Sequence, residues 1–263
     1  MEFLAPWINR SFGAFGELCS RSLQGMGEFL LFNLQTLRWL FRRPFRVGIF
    51  LKQMEFIGVK SIGIVILVGL FSGGVFALQT GYAFKLFNAE TLVGSTVAIA
   101  ICRELAPVFT SLMVIARAGS ALAAELGTMV VTEQVEALSS MAINPIQYLV
   151  APRVLAGFLM VPLLTGLFDA VGILGAYFVA VFLLRIPEGP FLSKMDYYLD
   201  PSDVVQGLIK AAVFGYLLAS ISAFQGIRTR GGAEGVGRST TQAVVVSSLT
   251  ILLSDFFLTR LLF

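Results

Sequence analysis

Residues 61–84, SIGIVILVGLFSGGVFALQTGYAF, contain no charged side chain. A helix needs about 20 apolar residues to cross the hydrocarbon core of a bilayer, and this stretch is long enough. Backbone amides in lipid must be satisfied within their own segment, so an apolar run of this length reads as a helix. Residues 91–124, 154–184, 204–227 and 239–262 are further apolar stretches of spanning length. The chain is therefore expected to be an all-α membrane protein of about five transmembrane helices. Stretch 154–184 exceeds one crossing, and Pro162, Gly166, Gly172 and Gly175 leave two forms open: one bent helix or two pieces.

Composition points the same way. Of 263 residues, 57% are hydrophobic and 13% charged, against about 25% charged in a soluble domain. Mean hydropathy is +0.84. There is no His, which removes the commonest general base and metal ligand. Cys19 falls in a terminal segment and Cys102 in a span, so they make no disulfide framework. No metal site, bound cofactor or catalytic residue is expected, and no nucleophile–base pair suggests an intramembrane enzyme. A net charge of +3 is too small to suggest nucleic-acid binding. The first residues, MEFLAPWINRSFGAFGE, lack the continuous apolar core of a signal peptide.

The Lys/Arg bias sets orientation. Residues 1–60 hold Arg10, Arg21, Arg38, Arg42, Arg43, Arg46, Lys52 and Lys60, and 228–238 hold Arg228, Arg230 and Arg238. The opposite side holds only Lys85, Arg185 and Lys194 in its connections. The N-terminus, residues 125–153 and residues 228–238 are expected in the cytoplasm. Residues 1–57 read as an N-terminal region and 58–263 as the transmembrane domain. Within the former, EFLLFNLQTLRWLF (28–41) reads as an amphipathic helix lying in the inner-leaflet interface, broken at Pro44. A cytoplasmic helix packed on protein fits the same pattern.

Charges inside spans are costly, about 2.5–3.5 kcal/mol each on insertion scales. Arg103, Glu104 and Arg117 interrupt the second span, Asp169 the third, Lys210 the fourth and Asp255 the fifth. With five alternating spans, Arg103, Glu104, Lys210 and Asp255 all fall in the outer half to middle of the membrane. They sum to zero charge, which suggests a polar patch facing a cavity open to the outer side. The plainer reading is that Arg103–Asp255 or Lys210–Glu104 are ion pairs that fix helix register. Asp169 stands apart and carries no expected role.

Residues 127–144, GTMVVTEQVEALSSMAIN, read as a short amphipathic helix between two spans. Thr132 can cap it, with Glu133 and Glu136 in its first turn. Val131, Val135, Leu138 and Met141 or Ala142 recur at helical spacing, and Asn144-Pro145 ends it. An ordinary loop helix and a docking helix for a soluble partner fit equally. Residues 232–239, GAEGVGRS, imitate a phosphate loop but carry Arg where the pattern needs Lys, and spans flank them on both sides. They read as a flexible glycine-rich turn. Gly69/Gly73, Gly119/Ala123, Ala123/Gly127 and Gly172/Ala176 suggest close helix packing within or between protomers.

RELAP (103–107), ARAGSA (116–121), AELGTM (124–129), TEQ (132–134), NP (144–145) and APR (151–153), with LIK (208–210) and SDF (254–256), follow the pattern of the Mla-type permeases. The chain thus resembles the MlaE family, the membrane subunits of ABC transporters that work with MCE proteins. The resemblance implies a homodimeric permease with an N-terminal interfacial helix. It further implies an ABC ATPase subunit that binds the ATP, docking through a cytoplasmic coupling helix at about 132–142. Thr132, Glu133, Gln134, Glu136 and Leu138 are its expected coupling residues. The resemblance implies phospholipid as substrate and a periplasmic MCE-domain partner, expected as a hexamer; some systems add a STAS-domain subunit. It maps Arg103, Glu104, Leu105, Lys210, Asp255, Leu78 and Tyr82 to the lipid-binding cavity. No Ser/Arg-rich transit segment is seen, so a bacterial inner membrane is expected. The competing reading is a secondary transporter driven by an ion gradient, with Glu104 and Asp255 carrying protons; the absence of an internal repeat counts against it.

Overall fold

The computed structural model describes residues 5–40, 42 and 46–262, and the side chains among them from residue 23 onward. The break expected at Pro44 lies outside the described residues. Among them the chain is helices joined by short turns, with no strand. We number the helices α1 (Ala5–Leu40), α2 (Val47–Lys85), α3 (Glu90–Val131), α4 (Gln134–Ser140), α5 (Ile146–Leu183), α6 (Glu188–Tyr198), α7 (Pro201–Ile227) and α8 (Gly232–Leu262). Five of them, α2, α3, α5, α7 and α8, are long and apolar enough to cross a membrane.

Stretch 154–184 belongs to one continuous helix. α5 runs 38 residues, with Pro162 inside it. The helix that carries the first span, residues 61–84, begins upstream of it at Val47, because charges at Lys52 and Lys60 end an apolar run without ending a helix. A break at Gly58 divides it, where backbone φ and ψ are −86° and −75°. The backbone carbonyls of Phe56 and Ile57 beside this break accept from Arg117 of α3, whose Nε also donates to Ser61 at 2.9 Å. This accounts for one charge in the second span: Arg117 binds carbonyls at a helix break.

Glycines decide how closely the spans approach. A Cβ on Gly73 of α2 would collide with the backbone of Gly172 in α5, and one on Gly207 of α7 with the Cys102 carbonyl of α3. Gly119 meets Ser222, Gly127 meets Thr229, and Ala123 lies against Gly226, so the small-residue pairs of α3 pack on α7 within the chain. Such contacts replace the hydrophobic drive that lipid cannot supply between helices.

α1 lies against the end of the bundle that carries α4. Phe29 and Phe32 pack edge-on to Phe224 with centroids 5.3 and 5.4 Å apart. The Tyr216 hydroxyl donates to Asn33 at 2.7 Å, and Glu28 pairs with Arg228 at 2.8 Å. The outward side of α1 shows Leu23, Leu30, Leu31 and Leu34, a surface suited to lipid.

Two connections differ from expectation. Residues 232–239 are the first turns of α8 and not a flexible turn; Gly231 and Gly232, at φ +93° and +67°, make the bend before it. α4 begins at Gln134. Thr132 does not cap it: the Thr132 hydroxyl donates back to Thr128 in α3. Glu133 holds the left-handed position, φ 59°, that closes α3. α4 ends in a Schellman motif, with Ile143 N–H donating to Leu138 O and left-handed Ala142 donating to Ser139 O. The Asn144 carboxamide oxygen then accepts from Ile146 and Gln147 and so starts α5.

Candidate functional site

Arg103 and Glu104 of α3 meet the charges of α7 and α8. α3 is locally wound as π-helix at Ile101–Leu105 and Ile115–Gly119, the turns that carry Arg103, Glu104 and Arg117. A π turn adds a residue to the ladder and re-aims its side chains, and such turns are frequent at functional positions. The close approach at Gly207 brings Lys210, nearly one turn later on α7, beside the first π turn. Lys210 Nζ donates to Glu104 at 2.8 Å, Asp255 at 3.2 Å, Thr259 at 2.7 Å and the Arg103 carbonyl at 3.2 Å. Its side chain is 0% exposed, that of Glu104 37%. Buried charge is tolerated only with good pairing and further hydrogen bonds, and Lys210 has both.

Arg103 does not pair with Asp255. It reaches Asp203 near the start of α7, 2.6 Å from Nη2 and 2.8 Å from Nε. Asp203 also accepts from the Asp200 backbone, closing a capping box there. Sequence reasoning missed both Asp203 and Thr259. The signal for Asp203 was present: D-P-S-D at 200–203 is a cap pattern at the edge of a span. With Asp203 the cluster holds two formal positive and three formal negative charges, so the neutrality expected from four residues does not hold for the group.

The other expected cavity residues fall elsewhere. Leu105 lines an apolar groove of about 340 Å³ between α2 and α3 with Phe71, Val75 and Phe109. Leu78 lines a second groove, about 690 Å³, between α2 and α5, and the two grooves share Phe71 and Val75. Tyr82, largely exposed, borders a small pocket with Lys85 and Glu90. Asp169 lies beside the Cys102 thiol. Both its carboxylate oxygens are buried, and the donor beside them is that thiol, a weak one.

At the opposite end of the spans, Val135 and Leu138 turn α4 onto the core while Glu133, Gln134 and Glu136 stay exposed. Arg153 at the start of α5 bonds Glu125 of α3 at 2.9 Å and Leu149 O at 2.7 Å, which fixes the frame around α4.

Residues 50–261 match the family described as Permease MlaE. The chain belongs to the MlaE permease family. That match takes in nearly all of the five spans and leaves out α1. A Haemophilus influenzae protein named intermembrane phospholipid transport system permease protein MlaE is 40% identical over 241 residues, 91% of each chain. A probable ABC transporter permease protein of Rickettsia bellii is 41% identical over 248 residues, 94% of this chain and 96% of that one. The chloroplastic protein trigalactosyldiacylglycerol 1 of Arabidopsis thaliana is 40% identical over 213 residues, 81% of this chain and 61% of its own. As an MlaE-family permease, the chain is a multi-pass transport subunit.

Proposed function

We propose that this permease moves phospholipid as the membrane subunit of an ATP-driven transporter. In this reading it is a homodimer in a bacterial inner membrane, with the N-terminus and α4 cytoplasmic. An ABC ATPase binds and hydrolyses ATP and docks on α4, and a periplasmic MCE-domain ring exchanges lipid with the opposite end. One observation carries the reading: a fully buried lysine holds a partly exposed acidic and basic edge, Glu104 and Arg103, next in sequence to Leu105 of an apolar groove. A polar edge beside apolar walls matches the two parts of a phospholipid. The groove walls would take acyl chains, and Arg103 would meet a phosphate. Closure of the ATPase pair would push on α4 and, through the Glu125–Arg153 frame, on α3 and α5.

The test is lipid transfer by the reconstituted complex. Glu104→Gln, and Arg103→Gln combined with Asp203→Asn so that no charge is stranded, are each expected to slow ATP-dependent transfer at least tenfold. Unchanged transfer in both variants overturns the polar-edge claim. Transfer that persists without the ATPase overturns the ATP-driven reading in favour of an ion gradient. Replacing Glu133 and Glu136 by Ala is expected to lower lipid-stimulated ATP hydrolysis severalfold in a folded permease; full activity would argue against docking on α4.

A further inference from the structure

A second charged site lies at the other end of the spans. A cavity of about 210 Å³ opens between the end of α1, the start of α2 and the start of α5, with Trp39, Arg42, Arg46, Asn144, Gln147 and Tyr148 in its wall. The Arg42 guanidinium stacks 5.0 Å from the Trp39 ring centroid, and that of Arg46 4.4 Å from the Tyr148 ring. Gln147 donates to the Arg42 carbonyl at 3.3 Å and so ties Arg42 to α5. Both arginines are exposed. The ion pairs among the described residues use Arg103, Arg153, Lys210 and Arg228, and none uses Arg42 or Arg46. The adjoining sequence supplies no carboxylate: residues 29–54 hold five cations and no Asp or Glu, and residues 137–152 hold no Asp or Glu either.

We propose that this pocket binds the phosphate of an anionic lipid headgroup, at a site separate from the transport path. Three physical reasons favour this ligand. A guanidinium offers a planar fork that fits phosphate oxygens with two hydrogen bonds, and stacking on an aromatic ring holds that fork in place. Trp and Tyr side chains settle at headgroup depth, so the pocket sits where headgroups are. A basic pocket between helices at the membrane surface gains about 1 kcal/mol from each Lys or Arg facing anionic lipid, which is about fivefold in affinity. The occupied pocket would clamp α1 to α2 and α5, joining the N-terminal helix to the frame that holds α4. Anionic lipid content would then tune the permease from the arginine-rich face.

The experiment uses the full chain in neutral detergent. Trp7→Phe leaves Trp39 as the single indole, since the chain holds two Trp. Its fluorescence is followed while dihexanoyl phosphatidylglycerol, dihexanoyl phosphatidylcholine, inorganic phosphate or a polyglutamate peptide is added. Phosphatidylglycerol is expected to give a saturable change, and phosphatidylcholine at least tenfold weaker binding. Arg42→Gln with Arg46→Gln is expected to weaken the phosphatidylglycerol response about 25-fold, from about fivefold per arginine. Displacement of the lipid by inorganic phosphate supports the phosphate as the recognised group. Equal responses to the two lipids in the starting chain overturn the proposal, whether or not the variant folds. So does an unchanged affinity in a folded variant. A response to phosphate with none to lipid overturns the headgroup as its source, and a response to polyglutamate alone gives the pocket to an acidic protein. No ATP or transport enters the measurement, so its failure leaves the transport reading untouched.

Discussion

Lys210 and Arg46 are both cations of the same small protein, and their surroundings are opposites. Lys210 is enclosed, with Glu104, Asp255, Thr259 and a backbone carbonyl around one ammonium. Arg46 and its neighbour Arg42 stand exposed at the other end of the spans, resting on aromatic rings and in no ion pair among the described residues. The burial explains the difference. A charge sealed among helices must bring its counter-ions with it, since neither water nor lipid supplies them. A charge at headgroup depth is solvated by its surroundings and stays available to a ligand. Internal pairing therefore marks what the fold needs, and its absence at the surface marks where an external anion fits.

Three tests press on this contrast, from large effects to small. Lys210→Met strands Glu104 and Asp255 and is expected to lower stability by about 3–5 kcal/mol. Adding Glu104→Gln and Asp255→Asn to it should recover most of the loss, read as the melting temperature of the detergent-purified chain; a small loss for the single change would show that the pairing is dispensable. Asp169 supplies the opposite buried case, a carboxylate with the weak Cys102 thiol beside it and no cation paired to it among the described residues. Asp169→Asn removes the charge and is expected to raise stability by about 1 kcal/mol, a rise of about 2–4 °C. A fall instead would place Asp169 with Lys210 as a charge the fold needs. Arg42→Gln with Arg46→Gln changes only exposed groups and should move stability by less than about 0.5 kcal/mol in neutral detergent.

The shared level of the charges along the spans was legible in the sequence; their partners were not. Arg103, Glu104, Lys210 and Asp255 were each placed in one half of the membrane by counting residues from span ends, because rise per residue is fixed by the helix. Three of the four do join one cluster through Lys210. Arg103 turns to Asp203, because the π turn at Ile101–Leu105 alters which way α3 points its side chains. Nothing in residues 101–105 announces that turn. Leu78 and Tyr82 are near the right end of α2, yet they face other surfaces than the cluster.

The five spans, the amphipathic pattern of α1 and the short helix between α3 and α5 followed from the sequence by itself, because hydropathy and periodicity are local and the bilayer sets a length. The tertiary structure alone decided the rest: α5 as one helix, the break at Gly58 held by Arg117, the closure of α3 by left-handed Glu133, and the arginine pocket. Each depends on how helices rotate and approach one another. That is set by contacts such as Gly73 on Gly172 and Gly207 on Cys102, between residues far apart in the chain.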